Sequence, residues 1–301
     1  MRIGKGFFII ALCFAALGKV AAAGSPAAGK PVVAVSILPQ AYFVERIAGD
    51  RARVLTIVGP GQSPHSYEPS PRQMAEFGKA SLWFTVGVEF ENTLKPKLSS
   101  LFTSLRIIDT VANVTFRDLE AHSEEGEEGN ATEEHHDEES GRDPHVWIGR
   151  RAVQSQAAII RDAFISFDPP GEAIYKKNFD AFIRDMDSVF ESLARDLLPL
   201  RNKPVFVYHP AFGYFLDEFG IEQVAVETGG KEPTPKGLAE LVSRAKKEGA
   251  TIIFVQAQFP TSAAKSLAKA IGGVVVAMDP LAPDWLANLK RMGDALRRGL
   301  R

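Results

Sequence analysis

The sequence predicts an α/β protein of two lobes, each with a mainly parallel sheet, joined by one long helix. Three observations carry this prediction. Apolar runs of strand length alternate with helical patterns, the alternation occurs in two separate blocks, and a long amphipathic segment lies between the blocks. Strands covered by helices on both faces are apolar throughout, as these runs are. The chain of 301 residues is long enough to bury two such cores.

The two blocks define the predicted lobes. The first lobe is assigned to residues 31–168 and the second to residues 203–301. Helical patterns lie between the predicted strands, for example over residues 39–47 and 71–79. The apolar runs predicted as strands are residues 32–38, 52–58 and 81–87 with a fourth near Arg106, and then residues 204–209, 221–227, 251–257 and 273–279.

Residues 169–199 are predicted to form the helix that links the lobes. Pro169 and Pro170 are suited to a helix start, apolar residues recur at helical spacing, and Pro199 ends the pattern. About 28 helical residues would span about 42 Å. Because a single helix is a stiff connector, we expect the lobes to move little relative to one another.

Residues 1–23 are typical of a secretory signal peptide. Two basic residues precede an apolar run over residues 7–17, and small residues end at Ala23, where we expect cleavage. The run is too short for a membrane span, which needs about 20 apolar residues. The single cysteine, Cys13, lies inside the run and does not resemble a lipid-anchor site. We therefore expect an exported protein without disulfides or a lipid anchor, in which any metal is held by His, Asp or Glu.

An acidic loop, placed at residues 118–143, separates two parts of the first block. Its stretch over residues 123–140 carries nine carboxylates together with His135 and His136, and His122 precedes it. Such a stretch has too little apolar surface to fold and is typical of a solvated loop. The alternative is that His122, His135 and His136 form an auxiliary metal site.

The remaining charge argues against nucleic acid as a partner. Without those nine negative charges the net charge of −2 becomes +7, and without Arg2, Lys5 and Lys19 of the leader it becomes +4. The basic residues form no stripe of the kind that follows a phosphate backbone.

Three histidines and one aspartate follow predicted strands. His65 and His145 lie in loops of the first block, His209 ends the first strand of the second block, and Asp279 follows the last strand. Ligand sites in parallel sheets gather beyond the carboxyl ends of the strands. Taken singly, a loop histidine is more often a surface or capping residue, and Asp279 before a proline can simply start a turn. Taken together, the four predict a metal site between the lobes.

Five motifs in a fixed order extend this interpretation. They are "PGQSPHSYEPSP", "DPHVWIG", "YHPAFGYF", "GKEPTPKGL" and "MDPL", and they span most of residues 32–300. In this order the chain resembles the metal receptors of bacterial ABC transporters, most closely the periplasmic zinc receptors of the ZnuA type. The resemblance implies two lobes joined by one helix with the metal in the cleft. It carries ligand roles onto His65, His145, His209 and Asp279.

Position 209 favours zinc within that family. Members that resemble manganese receptors have Glu there, whereas this chain has His209. Three imidazoles with one carboxylate suit tetrahedral Zn²⁺, and Mn²⁺ or Fe²⁺ is the alternative. Glu68, three residues after His65, is a possible alternative or outer carboxylate.

The predicted function is that of a monomeric, non-enzymatic carrier. The resemblance implies capture of Zn²⁺ in the periplasm and delivery to an ABC permease in the inner membrane. A zinc hydrolase is an alternative from another class, because a three-histidine site with an open position activates water. Asp279 in the fourth position would argue against it. Surface adhesion, which some relatives perform, is a further alternative.

Overall fold

A computed structural model of the chain describes residues 29–119, 141–227, 230–256, 258–259 and 262–299. The predicted signal peptide and the acidic stretch with His122, His135 and His136 lie outside the described residues. Within the described ranges, no helix combines the length and the apolar character needed to cross a membrane.

A four-stranded parallel sheet organises the first lobe, with strand order β2-β1-β3-β4. The start of helix α2 is determined by local sequence. Ser70 and Gln73 form a capping box there, and Pro71 occupies the first turn of the helix. The strands are β1 (Val32–Val35), β2 (Arg53–Thr56), β3 (Ala80–Thr85) and β4 (Arg106–Asp109). The helices are α1 (Leu38–Ala48), α2 (Pro71–Phe77), α3 (Glu89–Leu101) and α4 (Arg150–Phe167).

The second lobe repeats this arrangement, with strand order β6-β5-β7-β8 and parallel pairing throughout. In both sheets the first strand in the chain, β1 or β5, is a central strand. Its carboxyl end therefore lies in the middle of the row formed by the carboxyl ends of the four parallel strands. The strands are β5 (Pro204–Val207), β6 (Glu222–Ala225), β7 (Ile252–Val255) and β8 (Val274–Ala277). The helices after the linking helix α5 (Glu172–Asp196) are α6 (Gly213–Asp217), α7 (Pro235–Lys247), α8 (Ser262–Ile271) and α9 (Trp285–Arg298). The predicted fold class is confirmed.

Helix α5 is the long helix of the fold. It has 25 residues and is therefore about 38 Å long. Pro169 and Pro170 form a separate 3-10 turn before it, rather than its first turn, and a second short turn follows at Leu198–Leu200. The helix packs against α1 and α4 on one side and α9 on the other. Gly293 permits this last contact, because a Cβ there would lie 2.3 Å from Leu193.

The hydrophobic core continues from one lobe into the other. Trp285 of the second lobe is fully buried, and its ring meets Phe43 of the first lobe edge to face at 5.1 Å. Its Nε1–H donates to the carbonyl of Trp147 at 2.7 Å, and Trp147 Nε1–H donates to the carbonyl of Pro280 at 3.0 Å. Burying an indole removes roughly 200 Å² from water and stabilises by about 5 kcal/mol before entropy losses. Separation of the lobes would expose these rings, so the packing supports small lobe movements.

Candidate metal centre

Three imidazoles meet between the two lobes. One ring nitrogen from each of His65, His145 and His209 lies within 4.8 Å of the others. The ring centroids are 5.5 Å apart for His65 and His145, 4.9 Å for His65 and His209, and 5.0 Å for His145 and His209. The near-equal spacing forms a triangle, which is the arrangement that three ligands around one cation require.

His65 reaches the triangle from a short turn that follows β2. Pro64–Ser66 form a 3-10 turn, and the Ser63 hydroxyl accepts the His65 backbone N–H at 3.3 Å. The side chain is 26% exposed, so it is the most accessible of the three imidazoles. Its Nδ1 lies 3.8 Å from Oε1 of Glu89 at the start of α3, which puts a carboxylate near the open side of the site.

His145 is held by Asp143, two residues before it. The Asp143 Oδ1 accepts the His145 backbone N–H at 2.9 Å and lies 2.7 Å from the ring Nδ1. Both side chains are buried, and Asp143 has no exposed surface. Its other oxygen, Oδ2, accepts from Arg117 Nη1 at 3.0 Å. One carboxylate therefore fixes both the backbone and the ring of His145.

His209 has a comparable partner in the second lobe. It lies two residues after β5, and its Nδ1 is 2.6 Å from Oε1 of Glu227, which lies two residues after the neighbouring strand β6. Phe259 stacks on the imidazole at a centroid distance of 4.4 Å. Gln256 Nε2 donates to the His209 carbonyl at 3.0 Å. The ring is therefore fixed by a carboxylate at one edge and an aromatic face on one side.

These carboxylates determine which nitrogen is available to a metal. A neutral imidazole that donates from Nδ1 to a carboxylate presents a lone pair at Nε2. The Nε2 atoms of His145 and His209 lie 3.1 Å apart. Two nitrogens bound to one tetrahedral zinc would lie about 3.3 Å apart, given Zn–N distances of about 2.0–2.1 Å. The spacing therefore fits two lone pairs directed at one cation.

The pKa values favour the neutral, metal-binding form. Burial and the neighbouring His209 lower the pKa of His65. Burial is also the main cause of the lowered pKa of His209, which the hydrogen bond to Glu227 opposes only in part. Burial would raise the pKa of Asp143, but the bonds to His145 and Arg117 outweigh it and lower the pKa. Burial thus favours the neutral form of His65 and His209, while Asp143 stays ionised.

The three imidazoles line one recess between the lobes, here called the histidine recess. Trp147, Phe259 and Leu281 supply apolar walls. Apolar walls lower the local dielectric constant and strengthen the attraction between a cation and the carboxylates around it. The arrangement has the features of a divalent cation site.

The other candidates lie apart from this triangle. Asp279 is not part of the group of described side chains within 4.8 Å of one another. Its Oδ1 accepts the Leu281 N–H at 2.9 Å and lies 3.4 Å from Gln258 Nε2, so the carboxylate closes its own turn. Glu68 is exposed and is also outside the group. The structure thus brings the three histidines together and does not add Asp279 or Glu68.

Sequence reasoning missed the carboxylates behind the imidazoles. Glu227 lies two residues after β6, which pairs with the strand that precedes His209, so the rule that ligands gather beyond the carboxyl ends of parallel strands applies to it as well. Asp143 stands two residues before His145 inside a quoted motif, a spacing that favours a side-chain bond to the following backbone. Glu89 carries no local signal, because the position of α3 relative to His65 depends on the tertiary fold.

Comparisons with known proteins agree with the fold and identify the family. The model of the family described as "Zinc-uptake complex component A periplasmic" matches residues 33–299. A crystal structure of ZnuA is 30% identical, with a TM-score of 0.81, and the match covers 91% of this chain and 100% of that chain.

Curated relatives from bacteria match over most of this chain. The zinc-binding lipoprotein AdcA of Streptococcus pneumoniae is 29% identical over 256 residues, which are 84% of this chain. This chain spans only about half of AdcA, at 50% of its length. The high-affinity zinc uptake system protein ZnuA of Bacillus subtilis is 27% identical, over 92% of this chain and 88% of its own length. A manganese-binding lipoprotein, MntA of Halalkalibacterium halodurans, is 26% identical over 75% of this chain and 70% of its own length.

Proposed function

This chain belongs to the family of periplasmic zinc-uptake components, and on that premise we propose that it is a receptor that captures Zn²⁺ between its lobes. One observation carries the proposal. Imidazoles from both lobes converge, and the Nε2 atoms of His145 and His209 lie 3.1 Å apart with a carboxylate behind each ring. Carboxylate-backed histidines are typical of metal ligands.

The proposed ligands are His65, His145 and His209, with Asp279 in the fourth position. Asp279 would reach that position by leaving its turn, and the next two residues, Pro280 and Leu281, already line the histidine recess. Zinc sites in proteins are usually tetrahedral and accept three imidazoles readily. Mn²⁺ and Fe²⁺ prefer more oxygen ligands, so the nitrogen-rich set favours Zn²⁺ although one relative is named for manganese.

We further propose that the chain acts in the periplasm as a monomer and passes Zn²⁺ to an ABC permease without chemical conversion. The family description and the uptake systems named among the relatives support this role. Cells that lose the chain should grow poorly when a chelator limits zinc and should recover when zinc is added. Unchanged growth under chelation would contradict a role in uptake.

Calorimetric titration of metal-stripped protein tests the capture of zinc. We expect a tight site in the full chain and an affinity more than about 100-fold lower in His209→Ala. Loss of a residue that only hydrogen-bonds to a metal ligand lowers affinity by about 10–100-fold, and loss of the ligand itself should lower it further. Glu68→Ala is the matched control, since Glu68 is exposed and outside the triangle. Binding weaker than about 1 mM, or insensitive to His209→Ala, would contradict the proposal. Competition with equimolar Mn²⁺ and Fe²⁺ measures selectivity.

A zinc hydrolase is the second candidate, because Asp279 lies outside the triangle and a three-histidine site with an open position can activate water. The neighbouring carboxylates argue against it. Asp143 and Glu227 each hold an imidazole and are not free to accept a proton from water. Ester and phosphoester hydrolysis by zinc-loaded protein should therefore not exceed that of free zinc. Turnover that disappears in His209→Ala would favour the enzyme.

A further inference from the structure

We propose that Arg117 is a positioning residue that fixes His145 through Asp143 and joins this ligand to the second lobe. This inference rests on the proposed function, because it concerns the same site. Arg117 belongs to the first lobe and lies before residues 120–140, whereas its partners come from both lobes. Its connection to the metal centre runs through Asp143, which contacts both Arg117 and the His145 ring.

The Arg117 guanidinium bridges two carboxylates. Nη1 donates to Asp143 Oδ2 at 3.0 Å, and Nε donates to Asp217 Oδ2 at 3.0 Å. Asp143 lies beside His145 in the first lobe, and Asp217 ends helix α6 in the second lobe. Because guanidinium is a rigid planar fork, one residue fixes the distance between two carboxylates.

Tyr214 adds a second connection at the same place. Its hydroxyl donates to the backbone carbonyl of Asp143 at 2.9 Å and accepts the backbone N–H of Arg117 at 3.0 Å. Gly213 leaves room for the guanidinium, because a Cβ at that position would lie 1.9 Å from Arg117 Nη1. The start of α6 is thus shaped to receive the arginine, which argues against a chance surface contact.

The backbone around Arg117 is paired with the backbone around Asp143. The Asp143 N–H donates to the Arg117 carbonyl at 2.9 Å, and the Leu119 N–H donates to the Gly141 carbonyl at 2.8 Å. Asp118 and Arg142 form an antiparallel bridge between these bonds. The two chain segments that flank residues 120–140 are therefore joined directly beside the metal centre.

Burial makes the Arg117 contact important for Asp143. Arg117 is 17% exposed at its side chain and Asp143 is 0% exposed. Removing one partner of a buried ion pair leaves an uncompensated charge, which is costly even where the pair itself adds little stability. Without Arg117 the Asp143 carboxylate would have to move toward solvent to find another partner, and this movement weakens its hold on His145 Nδ1.

Stopped-flow release of Zn²⁺ to a chelator tests the inference in Arg117→Met. We expect zinc to leave about tenfold faster than from wild type. Loss of a residue that hydrogen-bonds to a metal ligand typically lowers metal affinity by about 10–100-fold, and the expected change in release rate corresponds to the lower end of that range. The matched control is Arg142→Met, which removes the same charge from the neighbouring bridge residue, whose guanidinium faces Phe116 at 5.7 Å instead of the site. The double variant Asp217→Asn with Tyr214→Phe should accelerate zinc release less than Arg117→Met does. It removes the connection of Arg117 and Asp143 to the second lobe but keeps the bond between Arg117 and Asp143.

A second readout does not depend on zinc. The His145 backbone N–H donates to Asp143 Oδ1, so its exchange with deuterium, measured on protein stripped of metal, reports how well Asp143 is held. Arg117→Met should raise this exchange rate about tenfold relative to wild type and Arg142→Met. If Arg117→Met does not fold, Arg117→Lys takes its place, since lysine keeps the charge but cannot bridge both carboxylates.

The outcomes separate this inference from the proposed function. If wild-type protein binds zinc but Arg117→Met changes neither zinc release nor exchange by more than about twofold, the inference is wrong. It is also wrong if Arg142→Met has an equal effect, or if the Asp217 and Tyr214 double variant has none. If wild-type protein binds no zinc, the proposed function fails, and the exchange of the His145 amide alone decides whether Arg117 holds Asp143.

Discussion

The Nε2 atom of His145 lies 3.1 Å from the Nε2 atom of His209, although the two residues come from different lobes. Each ring is oriented from behind by a carboxylate of its own lobe, Asp143 for His145 and Glu227 for His209. With Nδ1 of each ring held by a carboxylate, the Nε2 atoms are the ring nitrogens left to face one shared point. A site in which the ligands are already oriented loses little conformational freedom on binding, and this favours tight capture.

Glu227→Gln should weaken zinc binding by about 10–100-fold without abolishing it. The amide cannot carry the negative charge that orients His209 and makes it a better ligand, but it keeps the size of the side chain. The affinity is measured by competition with a chelator of known affinity.

Glu222→Gln is the matched control for this change. Glu222 begins the same strand β6, but it is exposed and pairs with Arg244 at 2.5 Å, far from the imidazoles in the fold. Its substitution should leave zinc affinity unchanged, because exposed ion pairs contribute about 0–1 kcal/mol. Equal losses in the two variants would show that Glu227 acts only on stability.

Asp279→Ala should weaken zinc binding less than the loss of any one of His65, His145 and His209. The Asp279 carboxylate closes a turn through the Leu281 N–H at 2.9 Å and would have to leave that bond to bind zinc. Absorption spectra of Co²⁺-loaded protein report the fourth ligand directly. A spectrum unchanged by Asp279→Ala would show that another group, such as water, occupies the fourth position.

Zinc binding should be level between about pH 7 and 8 and fall below about pH 6, because protons compete for neutral imidazoles. Burial holds the pKa values of His65 and His209 below the ordinary value. As the pH falls through about 6.5, the unfolded chain therefore takes up protons first, so metal-free protein should lose stability below that pH.

Zinc content after equilibration at each pH and urea unfolding of metal-free protein check these expectations. The variant His209→Gln should show a weaker pH dependence of unfolding than wild type, since one of the two lowered pKa values is absent. Full retention of zinc at about pH 4 would contradict a site of three histidines.

Deletion of residues 123–140 should leave one tight zinc site. The flanking segments are joined independently of the deleted stretch, by the Leu119 N–H bond to the Gly141 carbonyl at 2.8 Å. If His135 and His136 bind zinc, the deletion should remove only a weaker component of the titration. Loss of the tight site would show that the acidic stretch contributes to the primary centre.

Much of the fold could be predicted from the sequence because its signals are local. Apolar runs mark the strands β1 to β8, and the long amphipathic pattern marks α5 within about three residues of its ends. The beginning of α5 was placed too early because Pro169 and Pro170 suit a 3-10 turn as well as a first helical turn. The fold class follows from these signals, and the boundaries of the lobes stay a prediction.

The outer part of the site could not be predicted in the same way. The grouping of His65, His145 and His209 follows from strand ends meeting at one edge of a parallel sheet. The contacts of Arg117 with Asp143 and Asp217 depend on the packing of α6 against another lobe, which periodicity does not encode. The sequence is compatible with both a turn and a ligand role for Asp279, and the difference depends on a side-chain rotation that sequence does not determine.

A crystal structure of zinc-loaded protein with anomalous data at the zinc absorption edge tests the central claim most directly. We predict one strong peak in the histidine recess, about 2.0–2.1 Å from a ring nitrogen of each of His65, His145 and His209. Absence of zinc from the histidine recess, or zinc bound there by fewer than three of these imidazoles, would contradict it.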